Sequence, residues 1–290
     1  MYVLKQRRWR LFFLFVFPAF AIYTYFVINS IVQTGGYSLT KWDAISAPKY
    51  FGFGNYERFF SNKDFYMVMQ NTLLCVVISI AIQIPLGLIG AYLIYRTKHG
   101  FRAYRFMVFV PVVMSAAAIG LLFSMVFNAE FGPINSLLGA LGLTDWQRSW
   151  LSDQSVVYYA VMTPMTYQWI GFYVIIELSG MQSIPLSVIE SAQIDGANSA
   201  RTFFHIVLPY QKGITKMCII LLISGCFKAF DQSYIMTWGG PGYSSSFLGV
   251  YMYLETFLKG NFGRGSAVAV VILFGSLLFT LLVQVLVKEE

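Results

Sequence analysis

Long apolar runs separated by short polar segments dominate this chain. An α-helix needs roughly 20 apolar residues to cross a bilayer at a rise of about 1.5 Å per residue. Six runs meet that length, at Leu11–Val32, Met67–Tyr95, Phe106–Phe127, Val156–Leu178, Ile214–Thr237 and Ser266–Val287. The pattern predicts an all-α, polytopic membrane bundle of six transmembrane helices. It divides the chain into residues 1–66, with a tail, the first helix and an external loop, and residues 67–290, with five helices.

The composition agrees with a membrane location. Hydrophobic residues make up 57% of the chain and charged residues 11%, with a mean hydropathy of +0.63. A soluble domain carries about 25% charged residues, so most of this surface must face lipid. The three cysteines lie inside apolar runs, and His99 and His205 are isolated. No metal site is therefore expected.

The positions of the basic residues predict the orientation in the membrane. The net charge is +7, but the basic residues flank the apolar runs, which does not favour nucleic-acid binding. Twelve of the 20 Lys and Arg lie in the N-terminal tail, in the second and fourth connecting segments, and at the C-terminus. The positive-inside rule then predicts that both termini are cytoplasmic. Residues 179–213 fall on the same side.

The segment between the fourth and fifth runs is polar to amphipathic. Apolar and polar residues alternate from Leu186 to Asp195, which predicts a short helix that starts at Pro185, because proline suits a first helical turn, and ends at Gly196. A helix lying on the membrane surface is the alternative, but such helices have a polar face rich in Lys and Arg. Here that face carries Glu190 and Asp195 instead.

A second helical piece is predicted from Ser199 to Val207, with Pro209 ending it. The stretch Glu190-Ser191-Ala192-Gln193-Ile194-Asp195-Gly196 and the later Ile206-Val207-Leu208-Pro209 resemble the EAA loop of permease subunits of binding-protein-dependent ABC importers. The family pattern is Glu-Ala-Ala, three residues, Gly, nine residues, Ile, one residue, Leu-Pro. The first Ala is replaced by the equally small Ser191.

The resemblance implies the type I importer permease fold, with a cytoplasmic coupling helix between helices 4 and 5 and a coupling loop at about residues 183–209. In the family this helix sits in a cleft of a separate ATP-hydrolysing subunit. Glu190 would then be a polar anchor, and Ala192 and Gly196 would permit close packing. The coupling residues so implied are Glu190, Ser191, Ala192, Asp195, Gly196, Ala197 and Pro209.

A second polar cluster ends the fifth run. Lys228 and Asp231 are three residues apart and are predicted on one helix face. Charged groups cost about 2.5–3.5 kcal/mol at the bilayer centre, so these two either pair with each other or face a water-filled pathway. The following Thr237-Trp238-Gly239-Gly240-Pro241 resembles the Thr-x-Gly-Gly-Pro end of the fifth helix in sugar permeases.

The fourth run carries a polar and aromatic cluster of its own. Trp and Tyr side chains in a bundle serve either packing or the pathway. Carboxylate and amide groups bind sugar hydroxyls, and aromatic faces pack on sugar C–H surfaces. The candidate residues for a solute pathway are Asp231, Gln232, Tyr234, Lys228, Gln168, Trp169 and Tyr173.

Motifs for catalysis are missing from the sequence. There is no Gly-x-x-x-x-Gly-Lys-Ser/Thr phosphate loop, no Gly-x-Ser-x-Gly and no His-Glu-x-x-His. No catalytic residue is therefore predicted, the chain is not expected to be an enzyme, and no cofactor is expected on it. ATP and Mg would be bound by partner ATPase subunits.

With the external stretch Phe51-Gly52-Phe53-Gly54-Asn55-Tyr56, the chain is similar over nearly its whole length to permeases for maltose, multiple sugars, lactose or glycerol phosphate. The resemblance implies a sugar importer in a bacterial or archaeal cell membrane. Its partners would be a second homologous permease, two ATP-binding subunits and an extracytoplasmic solute-binding protein. One alternative is the same importer for glycerol phosphate. Another is an ion-coupled secondary transporter, which predicts inverted repeats and intramembrane ion-binding acids.

Overall fold

The computed structural model describes residues 12–97 and 99–286, and these are mainly α-helical. The basic N-terminal tail, Leu11, Lys98 and the segment from Val287 lie outside the described residues. The elements in chain order are α1 (Phe12–Ser38), β1 (Thr40–Lys41), β2 (Lys49–Tyr50), α2 (Gly54–Phe60), α3 (Lys63–Arg96), α4 (Phe101–Val113), α5 (Ala116–Val126), α6 (Pro133–Ala140), α7 (Val157–Met181), α8 (Leu186–Ile194), α9 (Ser199–Thr202), α10 (Leu208–Tyr210), α11 (Lys212–Phe227), α12 (Asp231–Thr237), α13 (Leu248–Tyr253) and α14 (Phe262–Leu286). Turns of π-helix lie at Thr24–Ile28, Phe203–Val207 and Leu254–Leu258.

Four helical stretches within the described residues are long and apolar enough to cross a membrane: α1, α3, Lys212–Thr237 (α11 with α12) and α14. Two bent helix pairs raise that number to six. One pair is α4 with α5, which meet at 90°, and the other is α7 with α8, which meet at 79°. The all-α membrane bundle predicted from the apolar runs is confirmed.

The third predicted run, Phe106–Phe127, is not one continuous helix, because a 90° bend divides it between α4 and α5. The chain leaves the helix at Met114 and resumes it at Ala116. Ser115 caps the new helix, because its Oγ accepts a hydrogen bond of 3.1 Å from the backbone N–H of Ala118. The carbonyl of Met114 accepts a hydrogen bond of 3.1 Å from Nε2 of Gln168. Two of the backbone groups freed at the break, the N–H of Ala118 and the carbonyl of Met114, therefore have partners.

The described residues form two compact units. The first contains the residues up to Ser61 together with Met252–Val271. In it β1 and β2 form an antiparallel pair. The buried amide of Asn55 donates to the carbonyls of Ser38, at 2.8 Å, and Thr40, at 2.9 Å. These bonds join α2 to the end of α1.

The second unit contains Asn62–Tyr251 and the residues from Ile272 onward. Its centre is formed by α3, which packs against both α7 and α11. Helices α4 and α7 approach at backbone distance, since a Cβ atom on Gly171 would overlap the carbonyl of Val108. Small residues allow such close packing in membrane bundles. Of these helices, α3, α7 and α11 line the cavity described below.

Candidate functional site

A cavity of about 390 Å³ lies within the second unit, between α3, α7, α11 and α12. Five residues predicted for a solute pathway line it: Trp169, Tyr173, Lys228, Asp231 and Gln232. Other lining residues include Ser79, Gln83, Met165, Phe172 and Cys226. The wall thus combines aromatic faces with a carboxylate, an ammonium group, a hydroxyl and amides. That mixture suits a polar solute that also has C–H faces.

Lys228 and Asp231 do not share a helix face, so that prediction is wrong. Helix α11 ends at Phe227 and α12 begins at Asp231, because Phe230 takes a non-helical backbone with φ −145° and ψ −57°. Gly249 makes the break possible, since a Cβ there would lie 2.6 Å from the carbonyl oxygen of Ala229. The ion pairs of the described residues involve other side chains. Both charges therefore line the cavity without pairing with each other.

Gln168 and Gln232 form a buried amide pair. Nε2 of Gln232 donates to Oε1 of Gln168 at 2.6 Å. Nε2 of Gln168 in turn donates to the carbonyl of Met114 at the break between α4 and α5. Gln168 is not among the residues that line the cavity. It orients Gln232, which does line it.

Tyr234 also lies away from the cavity wall. Its ring stacks on Phe230, with centroids 4.9 Å apart, and contacts Trp238 at 4.6 Å. Trp238 has a positive φ of 55°, which ends α12 before the Gly-Gly-Pro segment. Tyr234 is thus part of an aromatic column along α12.

The predicted helix from Leu186 to Asp195 is present as α8. It follows Pro185 and ends before Gly196, whose φ of 76° lies in the left-handed region. The N–H of Ala197 closes the turn on the carbonyl of Ala192 at 2.9 Å. The start and stop signals in the sequence are confirmed.

Only part of the apolar side of α8 is covered. Ile189 and Ala192 are buried, whereas Leu186 is exposed and Ile194 is 86% exposed. Glu190, Ser191 and Asp195 are exposed as well. The helix thus presents acidic and apolar side chains together.

Pro209 does not end the second helical piece, so this prediction is corrected. Helix α9 continues as the π-turn Phe203–Val207 and then as α10, which contains Pro209. The N–H of Gln211 still donates to the carbonyl of Val207 at 3.0 Å. Proline lacks an N–H donor, so the helical piece loses one backbone hydrogen bond at Pro209 but continues past it.

Several polar residues at buried positions were missed in the sequence. Ser79 and Gln83 line the cavity from α3, and Glu177 and Gln211 are buried near the two ends of the 183–209 loop. The sequence alone could have identified Glu177 as a candidate, because a carboxylate inside an apolar run is costly in a membrane and is usually functional. The others are uncharged, and nothing in their spacing distinguishes them.

Residues 83–289 match the family model described as a binding-protein-dependent transport system inner membrane component. The chain belongs to this family. It is a multi-pass membrane permease, and its family is a component of transport systems rather than an enzyme family.

Two curated relatives extend the match. The chain is 34% identical to a probable ABC transporter permease, YurN of Bacillus subtilis, over 93% of each chain. It is 31% identical to the multiple sugar-binding transport system permease MsmF of Streptococcus mutans, over 83% of this permease and 82% of MsmF.

A solved structure has the same fold. A chain of a bacterial alginate ABC transporter, in complex with an alginate pentasaccharide-bound periplasmic protein, aligns with a TM-score of 0.84 and 18% identity. The alignment covers 98% of this permease and 97% of that chain. The ABC importer permease fold is therefore shown.

Proposed function

We propose that this permease forms half of the transmembrane pathway of an ATP-driven importer for oligosaccharides. The observation that carries the substrate class is the cavity wall that joins Trp169 and Tyr173 to Asp231 and Gln232. The names of relatives such as MsmF, a multiple sugar-binding transport system permease, support it. So does the alginate pentasaccharide on the periplasmic protein in the complex of the structural neighbour.

The lining residues have complementary tasks toward a sugar. The rings of Trp169 and Tyr173 pack against C–H faces, which are the apolar part of a pyranose. The carboxylate of Asp231 accepts hydrogen bonds from hydroxyl groups, and the ammonium group of Lys228 donates to them. Gln232 both donates and accepts. Several modest contacts of this kind suit a transporter, because the solute has to leave again.

Energy reaches the pathway through α8. We place Glu190 and Asp195, with the exposed Leu186 and Ile194, in a cleft of a separate ATP-binding subunit. ATP and Mg bind to that subunit. Closure of the ATPase pair moves α8 and biases a two-state equilibrium between inward-open and outward-open pathways.

The proposed assembly contains this permease, a second homologous permease, two ATP-binding subunits and an extracytoplasmic solute-binding protein. Both termini face the cytoplasm of a bacterial or archaeal cell. Apolar side chains of α1 such as Phe15 and Phe20 are exposed, and lipid or the second permease would cover them.

Uptake by the reconstituted complex tests the function. We expect ATP-dependent uptake of at least one member of a panel of radiolabelled di- to pentasaccharides into proteoliposomes, and none of glycerol 3-phosphate. Asp231→Ala should lower uptake at least tenfold while the complex still assembles. Ser124→Ala, which loses only a bond to its own helix, is the matched control. Uptake of glycerol 3-phosphate alone, or wild-type uptake by Asp231→Ala, would contradict the proposal.

A substitution at Glu190 tests separately whether α8 couples the permease to the ATP-binding subunit. Glu190→Ala should reduce sugar-stimulated ATP hydrolysis, because the exposed carboxylate is the proposed polar anchor. Gln182→Ala, an exposed neighbour that precedes α8, serves as control. Unchanged hydrolysis and uptake in Glu190→Ala would remove Glu190 from the interface.

A further inference from the structure

Glu177 is a buried acid that the proposed pathway does not use. It lies on α7, four residues before the helix ends at Met181, and its side chain is 0% exposed. Neither carboxylate oxygen has a hydrogen-bond partner among the described residues. An unpaired charge or an unmade hydrogen bond at such a buried position is destabilising. The surroundings of Glu177 therefore need an explanation.

Gln211 reaches Glu177 from the other end of the loop at residues 183–209. It directly precedes α11 and is 1% exposed. Its Nε2 donates to the backbone carbonyl of Glu177 at 3.0 Å. Its Oε1 is buried without a partner. One bond thus already joins the two helices that flank the loop.

Thr215 adds a third side chain to this group. It lies one turn after Gln211 on α11, and its hydroxyl faces the carboxyl group of Glu177. The hydroxyl is nevertheless buried without a hydrogen bond. The side chains of Glu177, Gln211 and Thr215 therefore leave four oxygen atoms unpaired in one buried region.

The Gly180 backbone at the end of α7 lies directly against the side chains of Gln211 and Ile214. A Cβ atom on Gly180 would overlap both Oε1 of Gln211 and the end of the Ile214 side chain. Gly180 is the last residue but one of α7. The helices therefore meet where the loop leaves α7 and where it returns to α11.

The surroundings of Glu177 indicate whether its carboxyl group is protonated or charged. A neutral carboxylic acid has one O–H donor and one carbonyl acceptor, whereas a carboxylate only accepts. The hydroxyl of Thr215 and the thiol of Cys218 both face the carboxyl group, and either can accept the O–H of the neutral acid. A carboxylate at this fully buried position would keep its charge away from water, which is costly inside a helix bundle. The neutral acid fits the group better.

We propose that Glu177, as a neutral acid, forms a clasp with Gln211 and Thr215 that fixes the base of the coupling loop. These are positioning residues: they make α7 and α11 move together when α8 is pushed, so that the loop does not absorb the motion. The inference rests on the proposed function, because it requires that the ATPase acts on α8. It names residues outside both the cavity and the exposed face of α8.

The test compares three variants with a control in the full complex in nanodiscs. Glu177→Leu removes the polar group, and Glu177→Gln keeps a donor and an acceptor. Gly180→Ala pushes the side chains of Gln211 and Ile214 away from α7 without removing a polar group. Ser179→Ala is the control, since Ser179 is exposed and bonds only to its own helix at Ile175. The measurements are complex yield, uptake of the oligosaccharide panel per ATP hydrolysed, and hydrogen exchange of the α8 amides.

We expect Glu177→Leu and Gly180→Ala to lower sugar uptake per ATP at least fivefold and to speed amide exchange in α8 at least tenfold. Glu177→Gln and the control should stay within twofold of wild type. Wild-type values for Glu177→Leu would overturn the clasp. Equal damage by Glu177→Gln and Glu177→Leu would overturn the neutral acid.

Two further experimental outcomes distinguish the clasp from the proposed function. If Glu177→Leu fails to assemble, Gly180→Ala and Thr215→Val decide, and wild-type ratios and exchange in both would overturn the clasp. A wild-type complex that hydrolyses ATP without importing sugar would contradict the proposed function instead. In that case the exchange of the α8 amides still tests the clasp, because it does not depend on transport.

Discussion

Gln168 shows how a side chain can support a site without touching a solute. Its sequence context, between aromatic residues in an apolar run, predicted a place on the pathway. In the structure it accepts from Gln232 and donates to the carbonyl of Met114. The amide therefore holds a lining residue and also satisfies a carbonyl that the break after α4 leaves free. Both bonds are long-range, so no local pattern reveals them.

Gln168→Leu should destabilise this permease. The change keeps the volume roughly constant but leaves the Gln232 amide and the Met114 carbonyl unpaired, at a cost of about 1–3 kcal/mol for each buried group. Thermal unfolding of the purified complex should show a lower Tm. Thr163→Ala on the same helix removes only a bond to the carbonyl of Tyr159 and should have little effect. Equal Tm values for the two variants would contradict the role given to Gln168.

At the scale of elements, local signals predicted what local chemistry controls. The limits of α8 follow from Pro185 and Gly196, and both are confirmed. The breaks at Met114 and at Lys228–Phe230 were not predicted, because the high average hydrophobicity of a run indicates a lipid environment and not an unbroken backbone. Those breaks depend on distant partners, namely Gln168 in one case and Gly249 in the other. Neither contact can be predicted from the apolar pattern of the sequence.

Gly249 should be essential for the break that carries Lys228 and Asp231. In Gly249→Ala the new methyl group would lie 2.6 Å from the carbonyl oxygen of Ala229, so the backbone has to move. Overpacking of this kind costs about 1–3 kcal/mol. We expect a lower Tm and weaker sugar uptake. Gly213→Ala is the control, because a Cβ there meets nothing within 4 Å and alanine favours a helix. The idea fails if both variants behave alike.

Substitutions at Gly196 can distinguish the effect of backbone strain from that of a contact with a partner subunit. A Cβ at this position meets no atom within 4 Å, but its φ is 76°. A left-handed backbone costs a β-branched residue on the order of 1–2 kcal/mol, while asparagine tolerates it better. Gly196→Val should therefore disturb the end of α8 and reduce sugar-stimulated ATP hydrolysis, and Gly196→Asn should retain most of it. Equal losses in both variants would instead indicate that an ATPase subunit packs directly against Gly196.

At the scale of the whole molecule, the proposed switch has a natural reporter in Cys226. This thiol lines the cavity and is 6% exposed, whereas Cys75 and Cys218 are both 0% exposed. A small methanethiosulfonate reagent that enters the pathway should therefore modify Cys226 first. Cys226→Ser should abolish the labelling, which assigns it to this position.

Alternating access predicts how that labelling depends on state and side. In the resting complex an impermeant reagent should reach Cys226 from one face of the membrane, and trapping the ATPase with vanadate should move access to the other face. The relative rates should change at least tenfold, because opening at one end of the cavity requires closure at the other. An imported oligosaccharide should slow labelling, since it fills the space between Trp169 and Asp231. Labelling that ignores both sugar and vanadate would place the transported solute elsewhere, and the cavity would then be a packing defect of the helix bundle.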